Sequence, residues 1–148
     1  MPTKQSPKKV WTDVEKAAMA ESARERKKQA KLTPEEERAA GDADIQAKLE
    51  EMTPEERAIA QKFRDVVGKV APDLVPRTYY GMPAYAKDGK VVCFFQPASK
   101  FKVRYNTLGF QPDANLDDGD LWPVAFAVTK LSPTVERRMA ELIKQAAS

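Results

Sequence analysis

Two short runs flank Asp88-Gly89: Met82-Pro83-Ala84-Tyr85-Ala86-Lys87 before it and Lys90-Val91-Val92-Cys93-Phe94-Phe95 after it. Asp-Gly suits a two-residue hairpin turn, because both central positions need positive φ. The segment is therefore an antiparallel hairpin, and the rest of the chain must build on it. Gly81 supplies a bend ahead of the first strand, and Pro83 holds Met82 extended. If Lys87 lies opposite Lys90, Tyr85 faces Val92 and Ala84 faces Cys93. Alternation then sorts the side chains. Ala84, Ala86, Val91, Cys93 and Phe95 share one face. Tyr85, Lys87, Lys90, Val92 and Phe94 share the other. The small alanines assign the first face to covering helices.

Phe101-Lys102-Val103-Arg104-Tyr105 also alternates, so it reads as a further strand. Its apolar residues belong on the helix-covered face, since a one-residue slip would bury Lys102 and Arg104. Those two cations then lie beside Tyr85, Val92 and Phe94. The second face is expected to be aromatic and basic, a ligand surface built from Tyr80, Met82, Tyr85, Phe94, Lys102 and Arg104, with the Trp122 indole at its rim. Three occupants fit it: the chain's own N-terminal extension, whose acidic middle (nine Asp/Glu against four Lys/Arg over 32–62) complements it, an anionic small molecule, or single-stranded nucleic acid stacked on rings with phosphates on cations.

Helices surround this sheet. Thr12-Asp13-Val14-Glu15 is a capping box and opens a helix from about Asp13 to Lys31. Thr33-Pro34-Glu35-Glu36 and Thr53-Pro54-Glu55-Glu56 are two more starts, with Thr at N-cap, Pro at N1 and Glu at N3. Ile59, Phe63, Val66, Val67 and Val70 form one face of a helix over Pro54–Val70. Ser132-Pro133 opens the last helix, where Val135, Met139, Leu142, Ile143 and Ala146 repeat that spacing. Phe63, Val66, Phe95, Val103 and Leu142 are expected in one core. Strands occupy Arg77 to about Thr129. The fold class is α+β: two layers, an antiparallel sheet with helices on one face, plus a helical N-terminal extension. The division expected is a basic, partly disordered helical extension over 1–42 and an α/β domain over 43–148. Ser6-Pro7-Lys8-Lys9 matches a short basic minor-groove pattern, read here as a solvated tail.

The 148 residues include one cysteine and no histidine. A disulfide within the chain and a cysteine metal cage are excluded, and the commonest general base and metal ligand is missing. Cys93 reads as a small buried hydrophobe. No window approaches about 18 apolar residues, and no apolar run follows the N-terminal lysines. The expectation is a cytoplasmic protein without a membrane partner. Asp113, Asp117, Asp118 and Asp120 crowd one loop; oxygen ligands at that density suit a hard cation, but their order does not match the EF-hand pattern, and the loop reads first as solvated. No nucleophile–base pair and no Gly-rich phosphate loop occurs, so the chain reads as a non-enzyme. Residues alone call for no cofactor.

The helix ending Val70-Ala71-Pro72-Asp73, then Tyr80-Gly81-Met82-Pro83-Ala84-Tyr85, then Gly89-Lys90-Val91-Val92 with Phe94-Phe95, resembles the YdhG-like family of small bacterial domains. The likeness spans roughly residues 43–147. It implies a two-layer α/β domain with helices on one side of an antiparallel sheet. Some members are labelled frataxin-like iron chaperones, so the resemblance brings iron forward as cofactor or cargo. The leading expectation is a binding domain for a small ligand or iron. The alternatives are an anion- or nucleic-acid-binding module and a structural or protein-interaction domain.

Overall fold

The computed structural model describes residues 11–29 and 32–148. The fold is α+β, with a helical N-terminal region ahead of a five-stranded antiparallel sheet. The helices are α1 (Asp13–Gln29), α2 (Pro34–Glu50), α3 (Pro54–Val70), α4 (Ala98–Phe101) and α5 (Pro133–Ala146). The strands are β1 (Val75–Tyr79), β2 (Met82–Lys87), β3 (Lys90–Gln96), β4 (Asn106–Phe110) and β5 (Ala125–Val128), paired in sequence order. The expected division between residues 42 and 43 falls inside α2. The expected helix end at Lys31, the expected disorder over 1–10 and the Ser6–Lys9 pattern lie outside the described residues.

Local chemistry sets the helix ends. Thr33 and Thr53 each accept the backbone N–H of Glu36 and Glu56 respectively. Glu56 returns the bond to the Thr53 N–H, closing a full capping box. Ser132 caps α5 through the Val135 N–H. α3 and α5 pack on each other and bury Ile59, Phe63, Val67, Met139, Leu142 and Ile143 with Tyr85, Phe95 and Leu108 of the sheet. α2 runs along β1, the edge strand. Gly41 lies so close to the Pro76 carbonyl that any side chain there would strike it. A covered edge cannot recruit a foreign strand.

The hairpin register differs from the one the alternation predicts. Lys87 pairs Lys90 and Ala86 pairs Val91, but Tyr85 pairs Cys93 and Ala84 pairs Phe94. Val92 is the extra residue of a β-bulge, which turns the strand by one position. Tyr85 therefore joins Cys93 and Phe95 on the helix-covered side, and its ring meets Phe63 edge-on at 5.1 Å between centroids. Val92 is buried in the core too. Ala84, Ala86 and Val91 belong to the second face with Phe94.

The strand expected over Phe101–Tyr105 is absent. Pro97 leads into α4, and Lys102 closes it in the left-handed conformation at φ 54°. The Asn106 side chain accepts the Ala98 N–H at 2.8 Å and donates to the Val128 carbonyl, tying the turn to the sheet. Pairing begins only at Asn106. Val103 is 46% exposed and outside the core, whereas Phe63, Phe95 and Leu142 are buried and Val66 packs against them.

Candidate functional site

Tyr80 and Gly81 connect β1 to β2 with φ 51° and 75°. Two consecutive positive φ values across a two-residue loop make a type I′ hairpin turn, tighter than the bend expected there. The turn is clamped from two sides. Glu25 of α1 accepts the Gly81 N–H at 3.0 Å. Lys100 of α4 donates to the Gly81 carbonyl at 3.1 Å. The Lys100 ammonium and the Glu21 carboxylate press on the Gly81 α-carbon where a side chain would stand.

Glu21 is the centre of this cluster. Its carboxylate accepts from Lys48 of α2 at 2.9 Å and from Lys100 at 3.1 Å. Burial works to raise its pKa, but the bonds from the two lysines outweigh it and hold the carboxyl below its ordinary value. Lys48 is the mirror case: burial works to lower its pKa, and Glu21 with Glu51 raises it overall. The second Glu25 oxygen is buried without a hydrogen-bond partner among the described residues.

A cavity of about 420 Å³ opens beside this cluster, lined by the carboxylates of Glu21, Glu51 and Glu56, by Lys48 and Lys100, and by Ser99 among others. Glu56 also lines it. Besides capping α3, this 5%-exposed carboxylate accepts the Ser99 N–H at 2.8 Å and the Ser99 hydroxyl at 2.7 Å. Burial opposes ionisation, yet the bonds from Ser99 and Thr53 prevail and lower its pKa. One side chain thus starts α3 and anchors α4, and so fixes where Lys100 points.

The second sheet face carries a different constellation from the expected one. Tyr79 stacks edge-on with Tyr80 at 4.6 Å and lies 5.6 Å from the Phe94 ring. Its hydroxyl accepts from the Gln111 amide. Arg26, Arg77 and Lys90 share with Tyr79 and Tyr80 a groove of about 290 Å³. Arg77 and Tyr79 of the sheet meet Arg26 of α1 there. Tyr85 has gone to the core. Lys102 and Arg104 are exposed on the α4–β4 connection, with Arg104 5.1 Å from the Tyr105 ring. Tyr80 stays half-buried at the turn, and Met82 is buried.

Trp122 sits elsewhere. With Asp117, Asp118, Phe126 and Arg138 it lines a separate hollow, not the rim of the Tyr80–Met82 region. The acidic loop does not converge. Asp113 points to Lys90 at 3.9 Å. Among the described residues no three carboxylate or thiol groups come together to hold a metal ion, so the loop Asp113–Asp120 is not a formed cation site. Cys93 is fully buried, and burial pushes its thiol pKa up.

Glu21, Lys48, Glu56, Ser99 and Lys100 were not singled out by sequence reasoning. The one available signal was the capping-box Glu56; the others meet only through tertiary packing. Among the described residues no helix is long and apolar enough to cross a membrane. Compared with family models, curated proteins and solved structures, the chain matches none.

Proposed function

We propose that the chain is a cytoplasmic, non-enzymatic binding module for a small organic acid, seated in the cavity beside the Tyr80-Gly81 turn. The observation that carries this reading is the convergence of Lys48 and Lys100 on one carboxylate against the Gly81 peptide. Two ammonium groups that share an acid can pass to a ligand acid, with Lys48 also drawn from Glu51 at 3.3 Å, and charge-assisted bonds are the strong ones. The occupant is at present the chain's own Glu21. A ligand acid would compete with it and take over both lysines. The volume lies within the range of small-molecule pockets, about 300–1,000 Å³. Among the described residues no three carboxylate or thiol groups gather to hold iron.

Calorimetric titration of the full chain with citrate, aspartate and inorganic phosphate tests the reading. At least one should bind, and Lys100→Ala should weaken it more than about tenfold, the loss expected of a charged hydrogen bond. Equal binding by wild type and Lys100→Ala, or no heat with any of the three, contradicts it.

A further inference from the structure

We infer that the groove on the second sheet face holds a nucleotide unit, with its base stacked on the Tyr80 ring beside the perpendicular Tyr79 ring and its phosphate on Arg77, Lys90 and Arg26. This site is distinct from the Gly81 cavity and does not depend on it. Three cations line the groove, and Asp113 is the one carboxylate among its described lining residues. Asp113 is 47% exposed and 3.9 Å from Lys90, a surface pair that a phosphate can displace at little cost. The rings are held in place rather than free. Tyr79 is braced by Phe94 and by the Gln111 amide, and Tyr80 by the turn itself. Fixed aromatic platforms beside cations suit base stacking with phosphate neutralisation, which is tolerant of sequence. On α1, Lys27 follows Arg26 directly. The volume, about 290 Å³, matches a single small-molecule unit rather than a duplex.

The unit can come from a free mononucleotide or from a single strand, and two arms separate the sources. The full chain is titrated by anisotropy with a labelled oligothymidylate of about 12 nucleotides, within the site sizes of single-strand binders. The titrations are run between about 50 and about 200 mM salt. Adenosine monophosphate is titrated in parallel by calorimetry. Binding of the oligomer alone identifies a strand site; binding of the mononucleotide identifies a free-nucleotide site. Tyr80→Asn removes one ring but keeps a residue that tolerates the left-handed turn. It should weaken binding about tenfold with the salt slope unchanged. Arg77→Gln with Lys90→Gln should weaken binding and flatten the slope by about 0.7 for each phosphate no longer neutralised. Thermal melts that match wild type show that the variants fold. The inference is overturned if neither probe binds at the lower salt, or if binding survives both variants unchanged, which would place it on the basic N-terminal residues instead.

Discussion

The Phe94 ring lies directly over Gly109, its cross-strand partner, in the space where a Gly109 side chain would stand. An aromatic ring over a strand glycine covers exposed backbone and fixes the ring. Gly109→Ala should force Phe94 out of place and cost about 1–3 kcal/mol. The same change in a Phe94→Ala background should cost almost nothing. A double-mutant cycle by urea denaturation reads this coupling directly.

Phe95 is fully buried at the centre of the core, whereas Val103 is 46% exposed. Phe95→Ala should cost about 3–5 kcal/mol. Val103→Ala should stay within about 0.5 kcal/mol of wild type. Denaturation midpoints of the two variants decide whether the strand faces and the α4 turn are as described.

That contrast also shows what the sequence could reveal. The helix starts at Thr33 and Thr53, the apolar faces of α3 and α5 and the Asp88-Gly89 turn follow from local chemistry, and each is present. The bulge at Val92 does not. Tyr85, Val92 and Cys93 are all apolar enough for a core, so alternation cannot say which residue is extra. Phe101–Tyr105 mimics a strand by period alone. What overrides it is a side-chain bond from Asn106 to the Ala98 N–H, which no spacing rule anticipates. The Gly81 clamp joins residues from α1, α2 and α4 that are far apart in the chain, and charge pattern on single helices does not announce such a meeting.

Glu56 and Glu21 both have folded-state pKa values below their ordinary ones. A depressed carboxylate contributes stability that is complete above the unfolded pKa, near 4.5. That contribution disappears as pH falls through the lower folded value. Stability should therefore decline as pH drops below about 4.5. Glu56→Gln should flatten the decline and, with the box and the Ser99 bonds weakened, cost about 1.5–3 kcal/mol at neutral pH. Urea melts across that pH range measure both effects. A Glu56→Gln profile parallel to wild type would rule out the assigned role.

The Cys93 thiol is fully buried, and its pKa is pushed up. Thiolate is the reactive form. Labelling by a thiol reagent should be negligible in the folded protein, complete on denaturation, and limited by unfolding. Rapid labelling under native conditions would mean that β3 opens locally.

The most direct test of the acid seat is calorimetric titration of citrate into full-length Glu21→Gln beside wild type. Glu21 bridges Lys48 and Lys100 at 2.9 and 3.1 Å, so it is the competitor any ligand acid must displace. Removing its charge should tighten citrate binding about tenfold, and the gain should vanish when Lys100→Ala is added. Unchanged or weaker binding in Glu21→Gln would contradict the account, leaving the cluster a clamp that holds α1 on the sheet.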